Sequence, residues 1–165
     1  MKYKKYLSSD IYLINKRYKK NQYYHFLKET DNVVIIPCVK NKFIIVKQKR
    51  IPIRKKNFEF PCGRVDRGET NIQSACRELL EETGYQTIKP LKKLVTFFAD
   101  PGRNTRSIHC YFTKNLKLIK KPEKGIKIFF YTKEKIQKLI LQKKFNSSFN
   151  IAAFYFLLKQ KKYYS

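Results

Sequence analysis

The strongest constraint on this chain is a run of 23 residues from Gly63 to Tyr85. It reads Gly63-Arg64-Val65-Asp66-Arg67-Gly68-Glu69, then seven residues, then Arg77-Glu78-Leu79-Leu80-Glu81-Glu82-Thr83-Gly84-Tyr85. Its second part predicts a helix over 71–83. Thr70 can act as N-cap, Gln73 completes a capping box, and Gly84 fits the residue just past the helix. Ile72, Ala75 and Leu79, with Cys76 beside them, recur at helical spacing and predict the buried stripe. Glu78, Glu81 and Glu82 share another face, related by i+3 and i+4. Three like charges so placed repel unless something positive intervenes. A hard divalent cation suits them, because Mg²⁺ takes one or two carboxylates together with substrate phosphate oxygens. Arg77 lies on a neighbouring face, placed to orient Glu69. Gly63 and Gly68 give the preceding loop the backbone freedom to fold over the helix and expose a carbonyl.

Composition sharpens this reading. The chain of 165 residues carries 38 basic and 12 acidic side chains, a net charge of +26. Six of the 12 acids nevertheless fall between Glu59 and Glu82. Acid concentrated in a basic protein points to a cation site, and the surrounding positive charge can attract an anion. The lysines are scattered through every segment, which speaks for a bias of the whole chain rather than one binding patch. An apolar fraction of 42% marks a globular chain, most simply one domain with a real core. Cys38, Cys62, Cys76 and Cys110 have no CxxC spacing. They read as free thiols in a reducing compartment. The basic N-terminus lacks an apolar run behind it, and no stretch approaches a membrane span. The expectation is a soluble cytoplasmic protein with no membrane partner.

Along the chain, 11–14 and 22–27 flank a lysine-rich turn and predict a β-hairpin. The apolar run 33–39 predicts a buried strand, Asn41-Lys42 a turn, and 43–48 its partner strand. A short strand at 58–60 precedes the Pro61-Cys62-Gly63 turn. Strands follow at 93–98, 107–112 and 126–131. Thr132 can cap a second helix over 133–142, and a last apolar helix runs over about 149–160. Strands with interleaved helices make a mixed α/β domain.

The pattern Gly63-x5-Glu69-x7-Arg77-Glu78-Leu79-x-Glu81-Glu82-x-Gly84-Tyr85 resembles the Nudix box at every defined position. The resemblance implies an α/β/α sandwich around a mixed β-sheet, here with an N-terminal β-hairpin. It implies hydrolysis of nucleoside diphosphates linked to another moiety. Val46-Lys47-Gln48-Lys49-Arg50-Ile51-Pro52, Phe58-Glu59-Phe60-Pro61-Cys62-Gly63 and Asp100-Pro101-Gly102 followed by Ser107-Ile108-His109 are similar to segments flanking the box in ADP-ribose pyrophosphatases. The match covers roughly 33–130. Residues 1–30 then correspond to an element exchanged in homodimers, and 31–165 to the hydrolase domain.

Position by position, the resemblance assigns Mg²⁺, with Mn²⁺ as a substitute, to the Cys62 carbonyl, Glu78 and Glu82, and to Glu81 as a shared or second-metal ligand. Arg50 would clamp the diphosphate, a task suited to a planar guanidinium fork. Asp100 and Gly102 would contact the sugar end and Glu59 the nucleoside side. Arg64 lies at a substrate-contacting position but differs in residue type. His109, inside an apolar strand, reads as a packed histidine. The loop expected to supply a carboxylate base reads Lys120-Lys121-Pro122-Glu123-Lys124-Gly125, which leaves Glu123 or a box glutamate. With no tryptophan in the chain, the base would stack on Tyr12, Tyr23 or Tyr24. The expected reaction splits ADP-ribose or a related nucleoside diphosphate sugar into a nucleoside monophosphate and a sugar phosphate. The alternatives are dinucleoside polyphosphates or capped RNA as substrate, or a catalytically weak RNA-binding module. The intact box argues against the last, since its glutamates repel RNA unless metal is bound.

Overall fold

A computed structural model describes residues 3–8, 11–20 and 22–160. The N-terminal residues form an antiparallel sheet of β1 (Tyr3–Ser8), β2 (Ile11–Lys19) and β3 (Gln22–Glu29), in that order. The predicted hairpin is β2–β3, in register from Ile11↔Glu29 to Arg17↔Tyr23, with a register shift before Lys19↔Gln22. β1 is a strand the sequence pattern did not announce.

The central sheet grows from β4 (Asn32–Val39), whose residues alternate between two cores. Val34, Ile36 and Cys38 join Phe60, Ile108, Phe112, Phe154 and Leu157 in one cluster. Val33 and Ile35 join Ala75, Leu79, Leu91 and Tyr111 in the other. A strand buried on both faces has no polar side, which is why 33–39 reads as an unbroken apolar run. β4 pairs in parallel with β10 (Ser107–Thr113), which pairs antiparallel with β9 (Lys92–Phe98). On its other side β4 meets β5 (Lys42–Arg50), which continues to β12 (Lys127–Tyr131). Helix α1 (Asn71–Thr83) packs on β4 and β7 (Cys62–Arg64) over the second cluster, while α3 (Ser148–Lys159) packs on β4, β9 and β10 over the first. With α2 (Lys133–Leu141), whose Ile136 and Leu139 join that first cluster, this is the expected α/β/α sandwich around a mixed sheet.

The β4–β5 hairpin is closed only at its tip, at Cys38↔Phe43 and Val39↔Lys42. Its turn residues are Lys40 and Asn41, both with positive φ, one position earlier than expected. Beyond the tip the strands part. β5 pairs with β6 (Lys55–Glu59) and β4 with β7 (Cys62–Arg64), so the bend at Phe60-Pro61 fills the fork. Buried Asn150 of α3 fixes that bend by accepting the Phe60 N–H at 2.8 Å, and Pro61 accepts the Ile35 N–H at 2.9 Å. The fork is what opens a cleft at this end of the sheet.

Helix α1 has the predicted caps. The Thr70 side chain accepts from the Gln73 N–H, Gln73 returns the bond, and Gly84 is left-handed at φ 77°. One expectation fails here: Ile72 is 52% exposed. It lies on the right side of the helix but beyond both apolar clusters, and the buried face continues instead through Ala75 and Leu79 to Glu82 and Thr83. A two-stranded pair, β8 (Tyr85–Thr87) with β11 (Leu116–Leu118), was also not foreseen. No helix among the described residues is long and apolar enough to cross a membrane.

Candidate active site

The fork between β4 and β5 holds a cleft of about 860 Å³. Arg50 and Glu59 come from β5 and β6, Cys62, Gly63 and Arg64 from β7, and Glu78 and Glu82 from α1. Six of the predicted site residues, together with Gly63, thus converge on one cavity. A smaller pocket of about 300 Å³, beside Cys38 and the start of α2, carries none of them.

Glu82 is the most buried carboxylate of the helix. It accepts from the Cys62 N–H at 2.9 Å and from the Gln48 side-chain amide at 2.7 Å. Burial pushes its carboxyl up to about 7, although both donors and the Arg50 charge pull the other way. Gln48 is a partner that sequence reasoning missed, since a polar residue in a strand carries no signal of what it will face. Burial also raises Glu78. A Cβ on Gly63 would lie 2.0 Å from the Glu78 carboxylate. Gly63 therefore supplies space, inside a regular strand, rather than the backbone freedom expected of it. Gly68, at φ 89°, does need that freedom.

The other box carboxylates gather on Arg77. Its Nε and Nη2 donate to Glu69 at 2.9 and 3.0 Å. Nη1 donates to Glu78 at 2.7 Å and Glu81 at 3.1 Å, and Nη2 also reaches the Arg64 carbonyl at 3.0 Å. Asp66 lies 3.4 Å from Nη2. Glu69 receives the Ser74 hydroxyl as well. These bonds, led by those from Arg77 and Ser74, hold its carboxyl down at about 2.

Arg50 is already engaged. Its Nη2 donates to Glu59 at 2.5 Å and its Nε lies 3.2 Å from both Glu59 oxygens. Asn57 donates to the same carboxylate at 3.0 Å, and the Cys62 thiol sits 3.3 Å from Arg50 Nη2. Glu59 is only 3% exposed, so it backs the guanidinium instead of facing solvent. Burial raises the Cys62 thiol well above its usual range, which leaves it neutral.

Asp100 and Gly102 are not in the cleft. Their exposed loop is tied to the N-terminal sheet: the Tyr24 hydroxyl donates to the Gly102 carbonyl at 2.7 Å, and Leu27 exchanges backbone bonds with Arg103 and Thr105. Glu123 is exposed, with its N–H on the Glu81 carbonyl at 2.9 Å. His109 is packed between Asp31 at 2.9 Å and Thr96 at 3.2 Å.

Among the described residues, no three His, Cys, Asp or Glu side chains close into a complete ligand set. The donors that face the cleft still fit a hard divalent cation. They are oxygens, Gly63 leaves clearance at Glu78, and Glu82 lacks an ion-pair partner among the described residues. An incomplete carboxylate set is what Mg²⁺ uses when substrate phosphates supply the remaining oxygens.

Fold and site together define an α/β/α sandwich whose glutamate-bearing helix meets an arginine-lined cleft. Residues 28–148 match the NUDIX domain family, and the chain belongs to it. It is 38% identical over 78 residues to an ADP-ribose pyrophosphatase of Bacillus subtilis (strain 168), covering 47% of this chain and 42% of that one. It is 39% identical over 83 residues to the methanol dehydrogenase activator of Bacillus methanolicus, covering 50% and 44%. The matches thus span under half the length of these relatives. A solved structure described as an ADP compounds hydrolase superposes with a TM-score of 0.78 over 94% of this chain and 87% of that one, at 17% identity, a likeness of fold. Nudix proteins generally use a divalent metal such as Mg²⁺.

Proposed function

We propose that this chain is a Mg²⁺-dependent hydrolase of the diphosphate bond in ADP-ribose or a related nucleoside diphosphate sugar. The observation that carries this is the convergence of Glu78, Glu82, Cys62, Arg50 and Glu59 on one cleft. The relatives named ADP-ribose pyrophosphatase support the substrate class. Glu78, Glu82 and the Cys62 carbonyl would hold Mg²⁺ (or Mn²⁺), with Glu81 as a further ligand. The ion, when bound, would neutralise the diphosphate and lower the pKa of a coordinated water.

The chain's own residues do the rest. Arg77, clamped by Glu69, sets the rotamers of Glu78 and Glu81. Gln48 and the Cys62 N–H fix Glu82. Glu59 aims Arg50 across the cleft, where its remaining donors meet a phosphate. Arg64 lines the same wall. Glu123, anchored to the last turn of α1 through its N–H, is the candidate base from outside the box; unchanged turnover in Glu123→Gln would return that role to a box glutamate. Asp100 and Gly102 reach a sugar only if their loop meets the cleft of another subunit. This agrees with residues 1–30 as a dimerisation element beside a hydrolase domain of 31–165, a state that light scattering on the full chain reads directly. Four free cysteines suit a cytoplasmic setting.

The test is a hydrolysis panel of ADP-ribose, GDP-mannose, diadenosine polyphosphates and capped RNA, each with Mg²⁺ and with chelator. Metal-dependent release of AMP and ribose 5-phosphate from ADP-ribose is expected. Preferred cleavage of a dinucleoside polyphosphate or cap would replace the substrate, and no cleavage of any would remove the reading.

A further inference from the structure

We propose that Asn32 and Arg106 form a hydroxyl-recognising subsite in the active-site cleft, one that takes a sugar hydroxyl of the substrate; this rests on the function proposed above. Two buried side-chain polar atoms among the described residues have no hydrogen-bond partner, Asn32 Oδ1 and Arg106 Nε. Both residues line the 860 Å³ cleft that holds Glu78 and Glu82. Buried polar groups in folded proteins are nearly always satisfied, so two orphans on residues that line one cavity point to a ligand that completes the bonding.

The chemistry of the pair selects the ligand group. Asn32 Oδ1 only accepts and Arg106 Nε only donates. A hydroxyl serves both, donating to one and accepting from the other. A phosphate oxygen would serve Arg106 and confront Asn32 with a second acceptor. The Arg106 charge is also spoken for, because its Nη2 is paired with Glu29 of β3. With that charge matched, Nε–H is a directional donor rather than an anion clamp.

The geometry is preorganised. Asn32 opens β4, opposite Arg64 of β7 and beside Ile108 of β10. Arg106 immediately precedes β10; its N–H donates to the Asn104 side chain at 3.1 Å and its carbonyl accepts from Ala99 at 2.9 Å. Glu29 thereby links the N-terminal sheet to the choice of sugar.

The experiment compares ADP-ribose with analogues that each lack one ribose hydroxyl, in wild type, Arg106→Lys and Asn32→Ala. Arg106→Lys keeps a cation for Glu29 and removes the Nε donor. Wild type should favour ADP-ribose over one particular analogue by about 10-fold in kcat/KM. Both variants should reduce that one ratio toward unity and leave the ratios for the other analogues alone. If Arg106→Lys fails to fold, Asn32→Ala, which touches no ion pair, carries the test. Wild type indifferent to every hydroxyl, or variants that lose kcat/KM equally on all analogues, would overturn the subsite while leaving the hydrolase intact. If wild type cleaves no nucleoside diphosphate sugar, the function fails separately. Calorimetric binding of ADP-ribose and the same analogues then decides the subsite: a preference lost in Asn32→Ala keeps it, and equal affinities sink it.

Discussion

Helix α1 carries two kinds of glutamate within one turn, and they differ in what neutralises them. Glu78 and Glu81, with Glu69 from the preceding loop, share the Arg77 guanidinium. Glu82 has hydrogen bonds from a backbone N–H and an amide but, among the described residues, no ion pair. Bonds from Arg77 and Ser74 hold Glu69 down at about 2, whereas burial pushes Glu82 up to about 7 and raises Glu78 too, despite its Arg77 bond. Repulsion between like charges on one helix face is therefore handled inside the protein for most of the cluster. Glu82 has no ion-pair partner among the described residues, which leaves it open to the cation proposed above. The contrast separates a scaffold half of the box from a reactive half.

The comparison breaks most visibly at Glu82. Glu82→Gln should reduce hydrolysis by about 10³-fold, the scale of losing one preorganised electrostatic group. The fold should survive, since a Gln carbonyl can still accept from the Cys62 N–H. Thermal melts add a second readout. Mg²⁺ should raise the Tm of wild type, because a ligand that binds only the folded state stabilises it, and should leave the variant unmoved. A variant that melts early and turns over normally would reverse the two halves.

Arg77→Ala should differ in lowering stability as well as turnover, because Arg77 both neutralises the paired carboxylates and sets the rotamers of Glu78 and Glu81. It leaves four carboxylates, Asp66, Glu69, Glu78 and Glu81, around the place where one guanidinium stood. Breaking a fully buried pair costs about 3–5 kcal/mol; this one is a quarter exposed, so about 2–3 kcal/mol is expected, measured by urea denaturation. Gly63→Ala probes the boundary between the halves. A methyl 2.0 Å from the Glu78 carboxylate must displace it. Overpacking of this kind costs about 1–3 kcal/mol, and kcat should fall together with Mg²⁺ affinity if Glu78 faces the ion.

The helix glutamates, in both halves, were the most legible part of the site in sequence. The spacing of Glu78, Glu81 and Glu82 depends only on helix geometry, and Thr70, Gln73 and Gly84 announced the ends of that helix. Arg50, Glu59, Cys62 and Arg64 were found through resemblance alone, since nothing local says that β5, β6 and β7 will meet around the fork. That meeting also explains what was not seen. Gln48 faces Glu82 across 34 residues of sequence, and Arg106 meets Glu29 across 77. Contacts of that range come from strand pairing, which no window of sequence encodes. Ile72 shows the converse limit: its periodicity was right, but periodicity gives direction around a helix and not how far the opposing layer extends. Asp100 and Gly102 had the right neighbours in sequence, yet their loop is zipped onto β3, away from the cleft.

The smallest expected effect concerns the scaffold half at acid pH. Glu69 has a folded pKa of about 2, below the ordinary carboxylate value, because Arg77 and Ser74 bond its charged form. A depressed pKa means the unfolded chain binds the proton first as pH falls. The stability this contact contributes is therefore fully present above the unfolded value, near 4.5, and drains away as pH drops toward 2. Glu69→Gln keeps an acceptor for Arg77 but removes the charge. At pH 7 it should lose about 1–2 kcal/mol, less than the roughly 1.5–3 kcal/mol of a hydrogen bond to a charged group because Glu69 is a quarter exposed. Only below about pH 2, past the folded value, should variant and wild type converge. Denaturation curves at pH 7, about pH 4.5 and about pH 1.5 measure the gap directly. A gap that persists at the lowest pH would mean that Glu69 acts by shape rather than charge, and that the division between paired and unpaired carboxylates along α1 is not electrostatic in origin.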